Sequence, residues 1–332
     1  MNVIPSLDTT TPKLQPPWSI PAIPAAAFGI VLGLAGLANA WRSAEHLWHV
    51  APIVGHGIAS FATATWALLL IGYIRKWMYL REKALQEIKH PVQCCFVGLI
   101  GVSTMLVGGL CLPFSTAAAQ GLFWLGAVWT MSFAVWRTGG LWSGGREPTT
   151  TTAVLYLPTV AGSYVVAIVS APLGYPDIAQ LAFGAGFFSW LAIESVLLNR
   201  LLTAPTLMEP LRPTIGIQLA PPAVGTVAYL NATSGLPDML AHAMLGYALL
   251  QLLLMIRTLP WVAKQPFTAA YWAYSFGLTA LATATIRMAD RGETGIAASL
   301  TLPVFVLVNA AIALLVLLSL IALVRGKLFP QS

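Results

Sequence analysis

Charge is scarce in this sequence. Asp, Glu, Lys and Arg make up 8% of its 332 residues, against roughly 25% in an average soluble domain. With 58% hydrophobic residues and a mean hydropathy of +0.78, that scarcity excludes a soluble globular fold and leaves an integral membrane protein. Cysteine is nearly missing as well. Cys94, Cys95 and Cys111 all fall in one apolar segment without a Cys-x-x-Cys spacing, so they form neither a disulfide framework nor a metal set and read as small buried hydrophobes. No Gly-rich phosphate loop with its Lys, no nucleophile elbow and no HExxH occurs, so no catalytic residue, metal site or cofactor is expected. Residues 1–21 are Pro-rich and polar and lack the pattern of a cleaved signal peptide. They are expected to form a short disordered cytoplasmic tail.

What is present is a series of apolar runs. Ten can be drawn, at 22–41, 52–74, 92–112, 116–137, 153–171, 178–198, 214–231, 238–258, 270–288 and 298–324, each close to the length a membrane helix needs. They predict an all-α fold of ten transmembrane helices over 22–327, followed by a short cytoplasmic end at 328–332. The net charge of +6 has a topological cause rather than a nucleic-acid partner. Fourteen of the 17 basic residues (Lys13, Arg75, Lys76, Arg81, Lys83, Lys89, Arg137, Arg146, Arg200, Arg212, Arg257, Lys264, Arg325, Lys327) fall on one side of an even-numbered threading, and Arg42, Arg287 and Arg291 on the other. The positive-inside rule then puts both termini in the cytoplasm.

The odd-numbered runs share an opening. Lys89-His90-Pro91, Arg146-Glu147-Pro148 and Lys264-Gln265-Pro266 repeat basic-x-Pro, and Arg212-Pro213 is a close variant. The successive prolines stand one helical hairpin apart, so the chain reads as five tandem hairpins whose odd helices run in the same direction. The odd runs are rich in Gly and interior Pro, including Gly33, Pro158, Pro221, Pro222 and Gly277, while the last even run is almost uniformly bulky and apolar. Interior prolines free carbonyls that need protein or water as partners. The simplest arrangement is five small-residue helices inside and five bulky ones facing lipid.

The ninth run combines aromatic residues with a stripe of Phe276, Thr279, Ala280, Thr283 and Arg287 at helical spacing. Such a stripe suits a close helix–helix seam or the wall of a pore with Phe276 as its plug. The odd runs carry no Asp, Glu, Lys or His inside their apolar spans, which disfavours a proton-coupled carrier and a cation channel with acidic rings. A neutral, hydroxyl-bearing lumen with helix N-termini at one mouth suits anions. Gly33, Pro158, Pro221, Gly277, Thr279 and Thr283 are the expected lining residues. Lys89, Arg212, Lys264 and Arg287 are expected at the mouths. Glu194, the acid well inside a run, is a functional candidate that stands near the cytoplasmic end, where pairing with Arg200 is the alternative.

The run Leu211-Arg-Pro-Thr-Ile-Gly-Ile-Gln-Leu-Ala-Pro-Pro222, the opening Gln265-Pro-Phe267 and Trp272-Ala-Tyr-Ser-Phe-Gly277 resemble the tellurite-resistance/dicarboxylate transporter family, as do Lys89-His-Pro-Val92 and Leu155-Tyr-Leu-Pro-Thr159. Its bacterial members are the TehA-type proteins and its plant relatives the slow anion channels. The resemblance implies five hairpins around a quasi-fivefold pore, a homotrimer in the bacterial inner membrane, and a Phe gate that maps onto Phe276. It also implies inner helices kinked at Pro158 and at Pro221 or Pro222, and small inorganic or organic anions as partners. The alternative function is a coupled secondary transporter exporting dicarboxylates or tellurite-type oxyanions.

Overall fold

The computed structural model describes residues 22–329, so the tail at 1–21 and the last three residues lie outside the described part. Among the described residues every regular element is a helix. Eight are long and apolar enough to cross a membrane: α1 (Ala25–Trp48), α2 (Ile53–Tyr79), α3 (Gln93–Cys111), α4 (Thr116–Trp142), α5 (Ala153–Ser170), α6 (Pro176–Thr203), α8 (Met239–Val262) and α10 (Ile296–Val324). The seventh and ninth runs are composite. In α7 a 3-10 stretch, Glu209–Leu219, continues into the α-helix Ala220–Ala232. In α9, Ala269–Tyr274 continues into Ser275–Asp290. Their α-helical parts, 13 and 16 residues, fall short of the ~20 residues a span takes. A 3-10 turn rises about 2.0 Å per residue against about 1.5 Å for an α-helix, and the added stretches bring both to bilayer length.

All five odd helices open this way. α1 starts with Ala25–Ala27, α3 with Gln93–Gly98 and α5 with Ala153–Leu155 in 3-10 form. The shared basic-x-Pro signature therefore marks a shared backbone form. The prolines sit where the hydrogen-bond pattern changes. Pro158 lies in a π-turn, Leu157–Ala161, and Pro221 and Pro222 open the α-helical part of α7, where the missing N–H groups cost least.

Each odd helix packs against the next even one, and the odd helices also close on one another in the order α1, α3, α5, α7, α9 and back to α1. Burial separates the two sets. In the most apolar window of α1, α3 and α5, 67–83% of residues are buried, against 22–39% in the even helices. The even helices present Leu68, Val135, Leu202 and Val324 outward, as lipid contact requires. The connection between Cys111 of α3 and Thr116 of α4 is short, and Ser115 caps α4 by accepting from Ala118 N–H. Asp238 caps α8. The Tyr229 hydroxyl, then the N–H groups of Ala241 and Leu240, hold its carboxyl below the usual range.

Glycines on α1 let α9 come close. A Cβ on Gly36 would stand 2.9 Å from Thr279 Cβ and 2.1 Å from its Oγ1, and one on Gly33 would stand 2.5 Å from Ser275 Cβ. Both hydroxyls are tied to backbone carbonyls of their own helix, so neither neighbour can swing away freely. Gly36→Ala is expected to destabilise the protein by about 1–3 kcal/mol, the usual cost of overpacking, read as a lower unfolding temperature in detergent. A wild-type temperature would mean that the α1–α9 seam is not this tight.

Candidate functional site: two cavities on one axis

Inside the ring of odd helices lie two cavities. The wide one, about 810 Å³, occupies the end at which the odd helices begin. All five line it, through residues such as Gly29, Phe96, Tyr156, Pro221 and Trp272. The narrow one, about 180 Å³, lies toward the other end and is again lined by all five, through Gly36, Leu106, Val169, Val227 and Thr283 among others. Two residues line both cavities, Phe276 from α9 and Val224 from α7. Phe276 is 9% exposed and Val224 is 2% exposed. Two apolar side chains from adjacent inner helices thus stand at the level where the wide space gives way to the narrow one.

The wide cavity is an aromatic and aliphatic chamber with charge at its rim. Lys76 and the connecting helix Arg81–Lys89, which supplies Lys83 and Glu87, reach its wall together with His90 and Glu209. Lys76 and Glu87 form a buried ion pair of 2.8 Å. Glu87 also accepts from Ala25 N–H at 2.8 Å and from the Tyr73 hydroxyl at 3.2 Å. This carboxylate therefore ties the connecting helix to α2 and to the start of α1. Ala22 at one end of the described chain and Leu328 and Phe329 at the other both line this chamber, so both ends lie on one side, as an even number of crossings demands.

The sequence-derived residues divide between cavity and seam. Phe276 and Pro221 are on the wide cavity, and Phe276, Thr283 and Arg287 on the narrow one. Gly33 and Thr279 instead form the α1–α9 seam, and Gly277 packs on Leu219 and Ala220 of α7. Pro158 is buried within its π-turn. Lys89 and Lys264 are exposed, and Arg212 is engaged by Glu209 at 3.4 Å and by the Trp261 ring.

Glu194 is 7% exposed and does not bond to Arg200. Tyr156 and Trp190 donate to one of its oxygens, Tyr247 and Gln251 to the other. Tyr156 is also within 2.9 Å of Gln218. The carboxylate thus fastens α5, α6 and α8 near the Pro158 turn, and Tyr156 reaches on to Gln218 of α7. Four neutral donors surround its two oxygens, and it lines neither cavity. Sequence reasoning missed Val224, Lys76, Glu87 and Arg42. Gly29, Leu32, Gly36 and Asn39 recur at three- and four-residue steps along one face of α1, which is the signal that could have led to Arg42.

The family model described as SLAC1, voltage-dependent anion channel, matches residues 22–325. The chain belongs to the voltage-dependent anion channel family. A Haemophilus influenzae relative, named tellurite resistance protein TehA homolog, is 36% identical over 309 residues, which is 92% of this chain and 93% of that protein. The Arabidopsis thaliana guard cell S-type anion channel SLAC1 is 26% identical over 322 residues, covering 93% of this chain but 57% of the plant protein. An uncharacterized transporter of Methanocaldococcus jannaschii is 24% identical over 261 residues. The matched range of the anion channel family takes in every inner helix, the narrow cavity, and all of the wide cavity's lining except Leu328 and Phe329. Among the described residues no cluster of His, Cys, Asp and Glu could hold a metal, and Cys94, Cys95 and Cys111 are free thiols.

Proposed function

We propose that this member of the family is an anion channel of the bacterial inner membrane, closed at rest by Phe276 with Val224 beside it. The observation that carries the reading is that, among the described residues, these two apolar side chains alone border both cavities. An apolar constriction blocks ions by excluding water. The inner helices begin at the wide cavity, and each N-terminus brings roughly half a positive charge to it. Thr283 and Arg287 continue the path on the far side. The excess of Lys and Arg on the side of the wide cavity supports a cytoplasmic place for that side and for both termini. The lumen lies within one chain, so each protomer of the proposed homotrimer carries its own pore in the bilayer. Small inorganic and organic anions are the permeants, with no cofactor and no catalytic step. The link to tellurite resistance comes through the name of the bacterial relative.

Purified protein in planar bilayers should give currents whose reversal potential follows the anion gradient when chloride or nitrate is replaced by gluconate on one side. In proteoliposomes, anion uptake should need neither a trans anion nor a pH gradient. Obligatory exchange or proton-driven uptake would replace the channel by the coupled transporter.

A further inference from the structure

Arg42 of α1 and Arg287 of α9 both line the narrow cavity, and α1 and α9 are in direct contact. Each guanidinium is held by neutral acceptors. Arg42 donates to the carbonyls of Gly109 at 3.0 Å and Leu110 at 2.5 Å. Arg287 donates to Asn231 Oδ1 at 2.5 Å and to Ser43 Oγ at 3.4 Å. Among the described residues no carboxylate lies within ion-pair distance of either one. Asp290, the acid nearest Arg287 in sequence, is engaged by His46 at 2.8 Å. Arg42 Nε is buried without any hydrogen-bond partner, and Arg287 Nη2 makes no hydrogen bond to the described residues.

An arginine does not escape burial by losing its proton. Two half-buried guanidiniums on one small cavity pay desolvation, and Glu45 and Asp290 act on them only from beyond ion-pair distance. An anion between them offsets that cost. The forked N–H geometry fits an oxyanion, which accepts several bonds at once. A volume of about 180 Å³ holds a small oxyanion with a few waters, at ~30 Å³ per water.

We infer that the narrow cavity is an anion-binding site in which Arg42 and Arg287 together hold a small inorganic oxyanion on the far side of Phe276. Its part in conduction rests on the anion-channel reading, but occupancy can be measured without current.

The probe is nitrate, replacing gluconate at constant ionic strength, with thermal unfolding of the detergent-purified protein followed by tryptophan fluorescence. Nitrate is chosen over sulfate because sulfate stabilises proteins through exclusion from their surface. The wild type is expected to gain several degrees with saturation. Arg42→Gln and Arg287→Gln should each need at least about ten times more nitrate, as loss of a charge-assisted contact implies. Arg257→Gln, an exposed cation on α8 that lines neither cavity, should keep the wild-type midpoint. Should the Gln variants not fold, phenylglyoxal labelling of the wild type, mapped by mass spectrometry, should show Arg42 and Arg287 protected by nitrate. No saturable shift in the wild type, wild-type midpoints in both Gln variants, or equal labelling with and without nitrate would each overturn the site. Saturable binding in a protein that passes no anion current would leave the site standing and remove the channel reading alone.

Discussion

Phe276→Ala is expected to raise anion conductance in planar bilayers by about tenfold or more, since a barrier lowered by ~1.4 kcal/mol already changes a rate tenfold. The ring borders open volume on both sides. Its removal therefore joins two existing cavities rather than leaving a void in a packed core, and the fold should tolerate it better than the ~3–5 kcal/mol of an ordinary buried Phe→Ala change. Phe276→Leu should give an intermediate current, because a smaller apolar side chain still repels water at that level. Val224→Ala should have a weaker effect of the same sign, as its side chain offers less bulk to remove. Wild-type current in Phe276→Ala, with an unchanged elution profile, would take the gate away from this residue.

The Lys76–Glu87 pair carries the largest expected effect on stability. Glu87→Ala strands a buried ammonium, the Ala25 N–H and the Tyr73 hydroxyl. A broken buried pair costs about 3–5 kcal/mol, enough to lower the unfolding temperature strongly or abolish expression. Lys76→Met should approach the same loss from the other side. The double variant Lys76→Met/Glu87→Leu should recover much of it, because neither charge is then buried alone. Recovery will be incomplete, since an unpartnered Ala25 N–H still costs about 1–3 kcal/mol. A double variant no more stable than either single one would show that the pair is not what holds the connecting helix to α1.

The all-helical membrane fold and the division into small-residue inner and bulky outer helices were legible in the sequence because each depends on local composition. Hydropathy reports length, basic residues report sidedness, and Gly and Pro report where backbones approach or bend. The 3-10 openings were not legible in this way. Prolines announce a break in the ladder, but an 11-residue 3-10 stretch such as Glu209–Leu219 is sustained by its packing against α9. That stretch also explains the partial success at the site. A 3-10 turn advances 120° per residue, against 100° for an α-helix, so an inner helix enters its α-helical part with a phase that no wheel drawn from sequence supplies. Phe276, Ala280, Thr283 and Arg287 share the cavity face, while Thr279, on the same predicted stripe, is turned into the seam against Gly36.

Long-range partners were out of reach for a different reason. Glu194 is satisfied by Tyr156, Tyr247 and Gln251, 38 to 57 residues away along the chain. Arg42 rests on carbonyls 67 and 68 residues downstream. Nothing in local spacing tells a stranded charge from a satisfied one, and the expectation of an Arg200 partner for Glu194 followed from proximity in sequence. The Lys76–Glu87 pair is nearer, at 11 residues, but a turn between α2 and the connecting helix intervenes.

The ring of inner helices closes within a single polypeptide, α9 returning to α1, and this bears on inheritance. A conduit completed by one gene product does not depend on its neighbours for any part of its wall. On the proposed channel reading, a defective allele would remove the current of its own product alone.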